Sequence, residues 1–221
     1  MEVGIIAPVS LLKYCITDIQ YCLPSLLSSN KSYKSFYKDR DSRGDLIIID
    51  SRRIGWKRQP EDIDLVRQAM ELLPKALVIL PSYMFDVTKT LEISKRFLQI
   101  LKPSCVAGCI EGSDIKNVEK CVEGFRDLGV RTIAIPSHIY RISKTFKNNG
   151  PVIYLDNFSN LDELAKLEGT LVTSLPIRLG LQGRLVTDYL PSPPHLTFEE
   201  TPAFQKIVEK NIKDTISFYE E

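Results

Sequence analysis

The stretch Leu46-Ile47-Ile48-Ile49-Asp50-Ser51-Arg52-Arg53-Ile54-Gly55-Trp56 decides the fold. Four apolar residues, three of them isoleucine, run without alternation into an aspartate. An unbroken β-branched run is the pattern of a strand buried on both faces, as in a parallel sheet. A carboxylate ending such a strand lies at the rim where α/β folds place their chemistry. Asp50 is therefore the first catalytic candidate. The competing reading is a turn or helix-capping aspartate.

The rest of the chain alternates in the same way. Val3–Pro8, Ala76–Leu80, Cys105–Ile110, Thr132–Ile135, Val152–Leu155 and Leu171–Ser174 read as further strands. Between them, Ser10–Leu27, Asp62–Leu73, Val87–Leu101, Asp114–Leu128 and Leu161–Leu167 carry helical spacing, and Ser28–Asp45 reads as a long polar loop. Pro202–Tyr219 predicts a terminal helix, with Phe204, Ile207, Val208, Ile212 and Ile216 on one face. Six or seven strands alternating with helices mean a parallel sheet, closed into a barrel or open and doubly wound. An open nucleotide-binding sheet usually carries a glycine-rich turn after its first strand, and here that turn is APVSLLKY. The expectation is one α/β domain over 1–221, a (β/α)8-type (TIM-like) barrel, irregular or incomplete, with 202–221 a C-terminal helix.

Composition narrows the function. Basic and acidic residues number 29 and 28, so nucleic-acid contact requires a local patch. Five cysteines without a CxxC pair oppose a disulfide framework and a zinc ribbon, and two histidines exclude a His-rich metal site. No cofactor and no metal are expected. The N-terminus lacks the basic region of a signal peptide, and no apolar run approaches ~20 residues, so a cytoplasmic protein without a membrane partner is expected.

The ordered strand ends resemble those of the tRNA-guanine transglycosylase superfamily, closest to its phage and bacterial members that place 7-deazaguanine in DNA. Asp50-Ser51-Arg52-Arg53-Ile54 resembles DSGGF, Gly108-Cys109-Ile110-Glu111-Gly112 resembles GxVQG, and Ala134-Ile135-Pro136-Ser137 resembles AIGG. Val172-Thr173-Ser174-Leu175-Pro176, running on to Gln182-Gly183, resembles DTSLPxxLALQG. The resemblance implies a (β/α)8 barrel that exchanges a guanine base for a 7-deazaguanine in tRNA or DNA. It also implies a base pocket lined by Ser51, Ser82, Glu111, Gly112, Ser137 and Ser174. The departures are specific. The nucleophilic aspartate falls on Val172, or on Thr173 one residue over, and valine has no lone pair to attack with. The base-reading aspartate is replaced by Ser82 or Pro81, the glutamine by Glu111 and the glycine pair by Arg52-Arg53; the zinc ligands are missing.

Asp50 then serves as general base or substitute nucleophile, with Glu111 at the same mouth; paired carboxylates divide acid and base work when their surroundings differ. Asp156 is a weaker candidate, and Glu111 reads equally as a turn or capping residue. Lys31–Arg58 interleaves cations with Tyr33, Phe36, Tyr37 and Trp56, a composition suited to phosphates and unstacked bases, or to a solvated loop. Arg52, Arg53, Trp56, Lys57 and Arg58 are its nucleic-acid candidates, and Arg43-Gly44-Asp45 reads as a turn. His138, without a visible partner, reads as structural. Two other hypotheses stand: a catalytically inactive base- or nucleic-acid-binding partner subunit, homo- or hetero-oligomeric, or an unrelated barrel enzyme acting on a small phosphorylated metabolite.

Overall fold

The computed structural model describes residues 2–7, 9–51, 62–143, 150–155, 169–173, 176, 177, 179 and 202–220. Eight parallel strands close on themselves: β1 (Glu2–Ile5), β2 (Ile19–Cys22), β3 (Leu46–Asp50), β4 (Leu77–Ile79), β5 (Val106–Cys109), β6 (Thr132–Pro136), β7 (Val152–Leu155) and β8 (Thr170–Thr173). Each strand pairs with its sequence neighbours, and β8 returns to β1 through Gly4 opposite Val172. Helices α1 (Pro24–Ser29), α2 (Lys31–Arg43), α3 (Ile63–Leu72), α4 (Val87–Phe97), α5 (Ile115–Asp127), α6 (Ser137–Ser143) and α7 (Pro202–Glu220) lie along the chain, with short 3-10 helices at Val9–Tyr14 and Pro103–Cys105.

The period of two along each strand divides the core into two layers. Ile19, Tyr21, Ile48, Ile79, Ala107, Cys109, Ala134, Ile153, Leu155 and Val172 fill the barrel. Their neighbours Ile47, Ile49, Val78, Val106, Ile133 and Leu171 pack outward beneath the helices. This double burial is why Leu46–Ile49 carries no alternation. Ladder bonds continue past the strand ends: Ser51 N–H donates to the Ile79 carbonyl at 3.2 Å, and Ile110 N–H to Ala134 at 2.9 Å. The residues just beyond the strands therefore keep the strands' in-and-out parity.

Two elements depart from the sequence reading. The expected helix over Ser10–Leu27 is a 3-10 helix, then β2, then α1. Leu11, Leu12, Cys15, Ile19 and Leu23 are spaced as a helix would space them, but Leu11 and Leu12 belong to the 3-10 helix, Ile19 to β2, and Cys15 and Leu23 to the connections between elements. Pro24 opens α1, where its missing N–H has no consequence. The expected polar loop is mostly α2. Asn30 caps it by accepting from Tyr33 N–H at 2.9 Å, and Gly44, at φ 90°, ends it. Arg43-Gly44-Asp45 is thus a helix stop, and Asp45 turns inward to pair with Arg40 at 2.8 Å.

Helix α5 approaches β5 closely. A Cβ on Gly108 would stand 2.5 Å from the Phe125 ring, and one on Gly112 would stand 2.7 Å from Val118 N. Both glycines of the Gly108–Gly112 segment are therefore explained by packing of the strand end on α5. Gly108→Ala is expected to lower stability by about 1–3 kcal/mol through overpacking against Phe125. Urea denaturation checks this, and Gly108→Ala combined with Phe125→Leu should lose less than the sum of the two single changes.

Candidate functional site at the barrel mouth

Two residues beyond Ile48 and Cys109, the inward parity brings Asp50 and Glu111 to the C-terminal mouth. Both are almost fully buried. They stand at the ends of β3 and β5, with β4 between them. Asp50 accepts from the hydroxyl of Tyr21, which rises on the neighbouring β2. Tyr21 is held in turn through its carbonyl, which accepts from the Tyr37 hydroxyl of α2.

Glu111 is held by a hydroxyl, a backbone N–H and an imidazole. Ser82 Oγ donates to Oε1 at 2.9 Å, Phe85 N–H to Oε2 at 3.2 Å, and His138 Nε2 lies 2.9 Å from Oε2. A carboxylate withdrawn from water requires such partners, since an unpaired buried charge costs several kcal/mol. The β4–α4 loop that supplies two of them is itself pinned. Tyr83 N–H donates to Thr90 Oγ1 at 2.9 Å, and Asp86 caps α4 by accepting from Lys89 N–H at 3.0 Å. Phe85 sits in this loop at φ 61°, a left-handed conformation costly for a residue with a large side chain. Its ring is half exposed and meets the His138 ring edge-on at 5.4 Å.

Buried thiols stand behind the carboxylates. Burial, reinforced by the Asp50 charge, pushes the Cys22 thiol well above its ordinary range. Burial pushes the Cys121 thiol up to about 12. Among the described residues, no group of three or more His, Cys, Asp or Glu could hold a metal ion.

The candidates from sequence fall in different places. Asp50, Ser82 and Glu111 come together around β3, β4 and β5. Ser51 is buried with opposite parity, and its hydroxyl donates to the Ile79 carbonyl, fastening β3 to β4. Gly112 packs on α5 as above. Ser137 opens α6 beside His138. Val172 is fully buried among the apolar residues inside the barrel. Ser174, Asp156, Arg52, Arg53, Trp56, Lys57 and Arg58 lie outside the described residues.

Three readings are corrected. His138, which shows no partner in the sequence, has one in the structure, the buried carboxylate of Glu111. Glu111 is no solvated turn residue. Tyr33 and Tyr37 are core residues of α2, packed ring to ring at 4.6 Å, so neither presents a face on which a base could stack. Sequence reasoning missed Tyr21 because β2 was hidden in a helix-like pattern. It missed Phe85, whose backbone conformation leaves no trace in residue type.

No protein-family model matches the chain, and no curated protein matches it in sequence. Solved structures do match its shape. N-acetylneuraminate lyase from Mycoplasma synoviae superposes with a TM-score of 0.57 at 10% identity, covering 97% of this chain and 97% of that one. A second crystal form gives 0.54 at 9% identity over 100% and 98%. A protein from Coccidioides immitis assigned as a fructose-1,6-biphosphate aldolase gives 0.53 at 12% identity over 98% and 91%. The fold is a (β/α)8 barrel. At these identities the likeness is one of fold alone, and unrelated chemistries share this fold. Among the described residues no helix is long and apolar enough to cross a membrane.

The Phe85 conformation is directly testable. Phe85→Gly keeps the N–H that binds Glu111 and relieves the left-handed backbone, so its melting temperature should equal or exceed that of the wild type. Phe85→Pro removes the donor and forbids the backbone angle, and should cost at least ~2 kcal/mol. A Phe85→Gly variant less stable than Phe85→Ala would contradict this geometry.

Proposed function

We propose that the protein is a transglycosylase-like barrel that takes a guanine or 7-deazaguanine base of tRNA or DNA into its C-terminal mouth. Asp50 is its acid/base group or substitute nucleophile. The observation that carries this reading is the pair of buried carboxylates, Asp50 and Glu111, on inward positions of β3 and β5. Guanine-type bases present a ring N–H beside an exocyclic amino group. That double-donor edge fits the two oxygens of one carboxylate, as a guanidinium does. In a dry site the match is selective, because a base lacking the donors leaves a buried carboxylate unpaired. A base inside a barrel mouth must leave its stack, as in other enzymes that act on flipped bases.

The position that the resemblance assigns to the nucleophile is Val172, buried and apolar. Covalent attack, if it occurs, falls to Asp50. The same observation favours a second reading, a barrel that binds a base or nucleic acid as a partner subunit without turnover.

Base exchange separates the two. Labelled guanine is incubated with tRNA and with DNA, using wild type and Asp50→Ala. The expected result is label entering a polymer with wild type and at least a 100-fold lower rate with the variant. A folded wild type that incorporates nothing yet binds nucleic acid in a salt-dependent way moves the assignment to the partner subunit. Absence of both activities overturns both readings and leaves a barrel enzyme on a small phosphorylated metabolite.

A further inference from the structure

His138 enters through its geometry alone. Its Nε2 lies 2.9 Å from a Glu111 oxygen, while its own side chain is 16% exposed and that of Glu111 is 0% exposed. A carboxylate only accepts, so in the neutral imidazole the proton sits on Nε2 and the lone pair on Nδ1. Ser82 and the Phe85 N–H hold the carboxylate from other sides. Phe85 presses edge-on against the imidazole and bounds it next to the mouth. A buried acid that fixes the tautomer of a mostly buried imidazole, and compensates its charge once protonated, is the arrangement that equips histidine for proton transfer.

We infer that His138 is the proton-transfer residue of the mouth and Glu111 its positioning residue, an inference that rests on the base-exchange reading above. The chemistry balances with this one imidazole. When the bond from sugar carbon to ring nitrogen breaks, its electron pair stays on the departing base, which takes the proton from the imidazolium. The entering base gives the proton of its corresponding nitrogen to the neutral imidazole as that nitrogen forms the new bond to the sugar carbon. One proton is given and one recovered, so no further acid, oxidant or co-reactant enters. Between the two steps the sugar carbon is an oxocarbenium that shares its charge with the ring oxygen. Where Asp50 bonds to it, that bond breaks with its electron pair on the carboxylate as the entering nitrogen attacks; otherwise Asp50 is left to bind the base.

The test uses full-length wild type, His138→Ala and His138→Gln in the base-exchange assay, with and without added imidazole. The expected result is a fall in kcat of about 10²–10⁴-fold with little change in KM, and recovery by imidazole in the alanine variant alone. The Gln variant can still donate to Glu111, so it reports on proton transfer even where the alanine variant unfolds. For Glu111, nitrogen NMR of the imidazole gives a readout free of turnover. The chain has two histidines, so His195→Gln leaves one signal to follow. Raised to a pH at which the imidazole is neutral, wild type should show the Nε2–H tautomer, and Glu111→Gln a mixture of both. An alanine variant that exchanges bases at the wild-type rate removes the role of His138 and leaves the base-exchange reading standing. An unaltered tautomer in Glu111→Gln removes the role of Glu111. A wild type without exchange removes both readings together.

Discussion

The constraint on which this structure depends is the parity of a closed parallel barrel. Once β8 pairs with β1, every inward position is walled off from water except at the two ends. Ile48 and Cys109 lie inside, so Asp50 and Glu111 two residues on must point the same way. A one-residue slip of β3 or β5 would send the carboxylates under the helices and the apolar residues into the mouth. Register therefore sets the fold and aims the site in one act. The same parity sends Ser51 to the outer layer, where it serves the sheet.

Burial makes this arrangement expensive, and the surrounding groups compensate for it. Glu111 is met by a hydroxyl, a backbone N–H and an imidazole, drawn from the β4–α4 loop and from the start of α6, far apart in sequence. One of those donors is available only because Phe85 accepts a left-handed backbone. Strain of ~1–2 kcal/mol and a buried charge are tolerated together where the surrounding structure gains from a fixed geometry. On the other side, Tyr21 ties Asp50 to β2, and Tyr37 ties Tyr21 to α2. The aromatic residues of Lys31–Arg43 thus reach the site indirectly, through the position of Tyr21.

Much of the fold was legible because parallel strands buried on both faces write continuous apolar runs, as in Leu46–Ile49 and Val152–Leu155. Strand β2 was not. It has four residues, one of them Gln20, which is buried by hydrogen bonds to nearby backbone carbonyls instead of by apolarity. Helix α2 was hidden by its polar surface, although Tyr33, Phe36, Tyr37 and Arg40 keep helical spacing and Asn30 supplies a cap. At the site, Asp50 and Glu111 could be placed because strand ends are visible in sequence. The bond between Glu111 and His138 could not, since it spans 27 positions and depends on how β5 and β6 sit side by side.

The central claim is that one buried carboxylate of the mouth, Asp50, recognises the double-donor edge of a guanine-type base, while Glu111 is engaged by Ser82, Phe85 and His138. The most direct measurement is calorimetric titration of free 7-deazaguanine and 7-deazaadenine into wild type and Asp50→Asn. The account predicts that wild type binds the guanine form at least about tenfold tighter, a difference of about 1.4 kcal/mol, and that Asp50→Asn removes most of that preference. Equal affinity for the two bases, or a preference unchanged in Asp50→Asn, would contradict it.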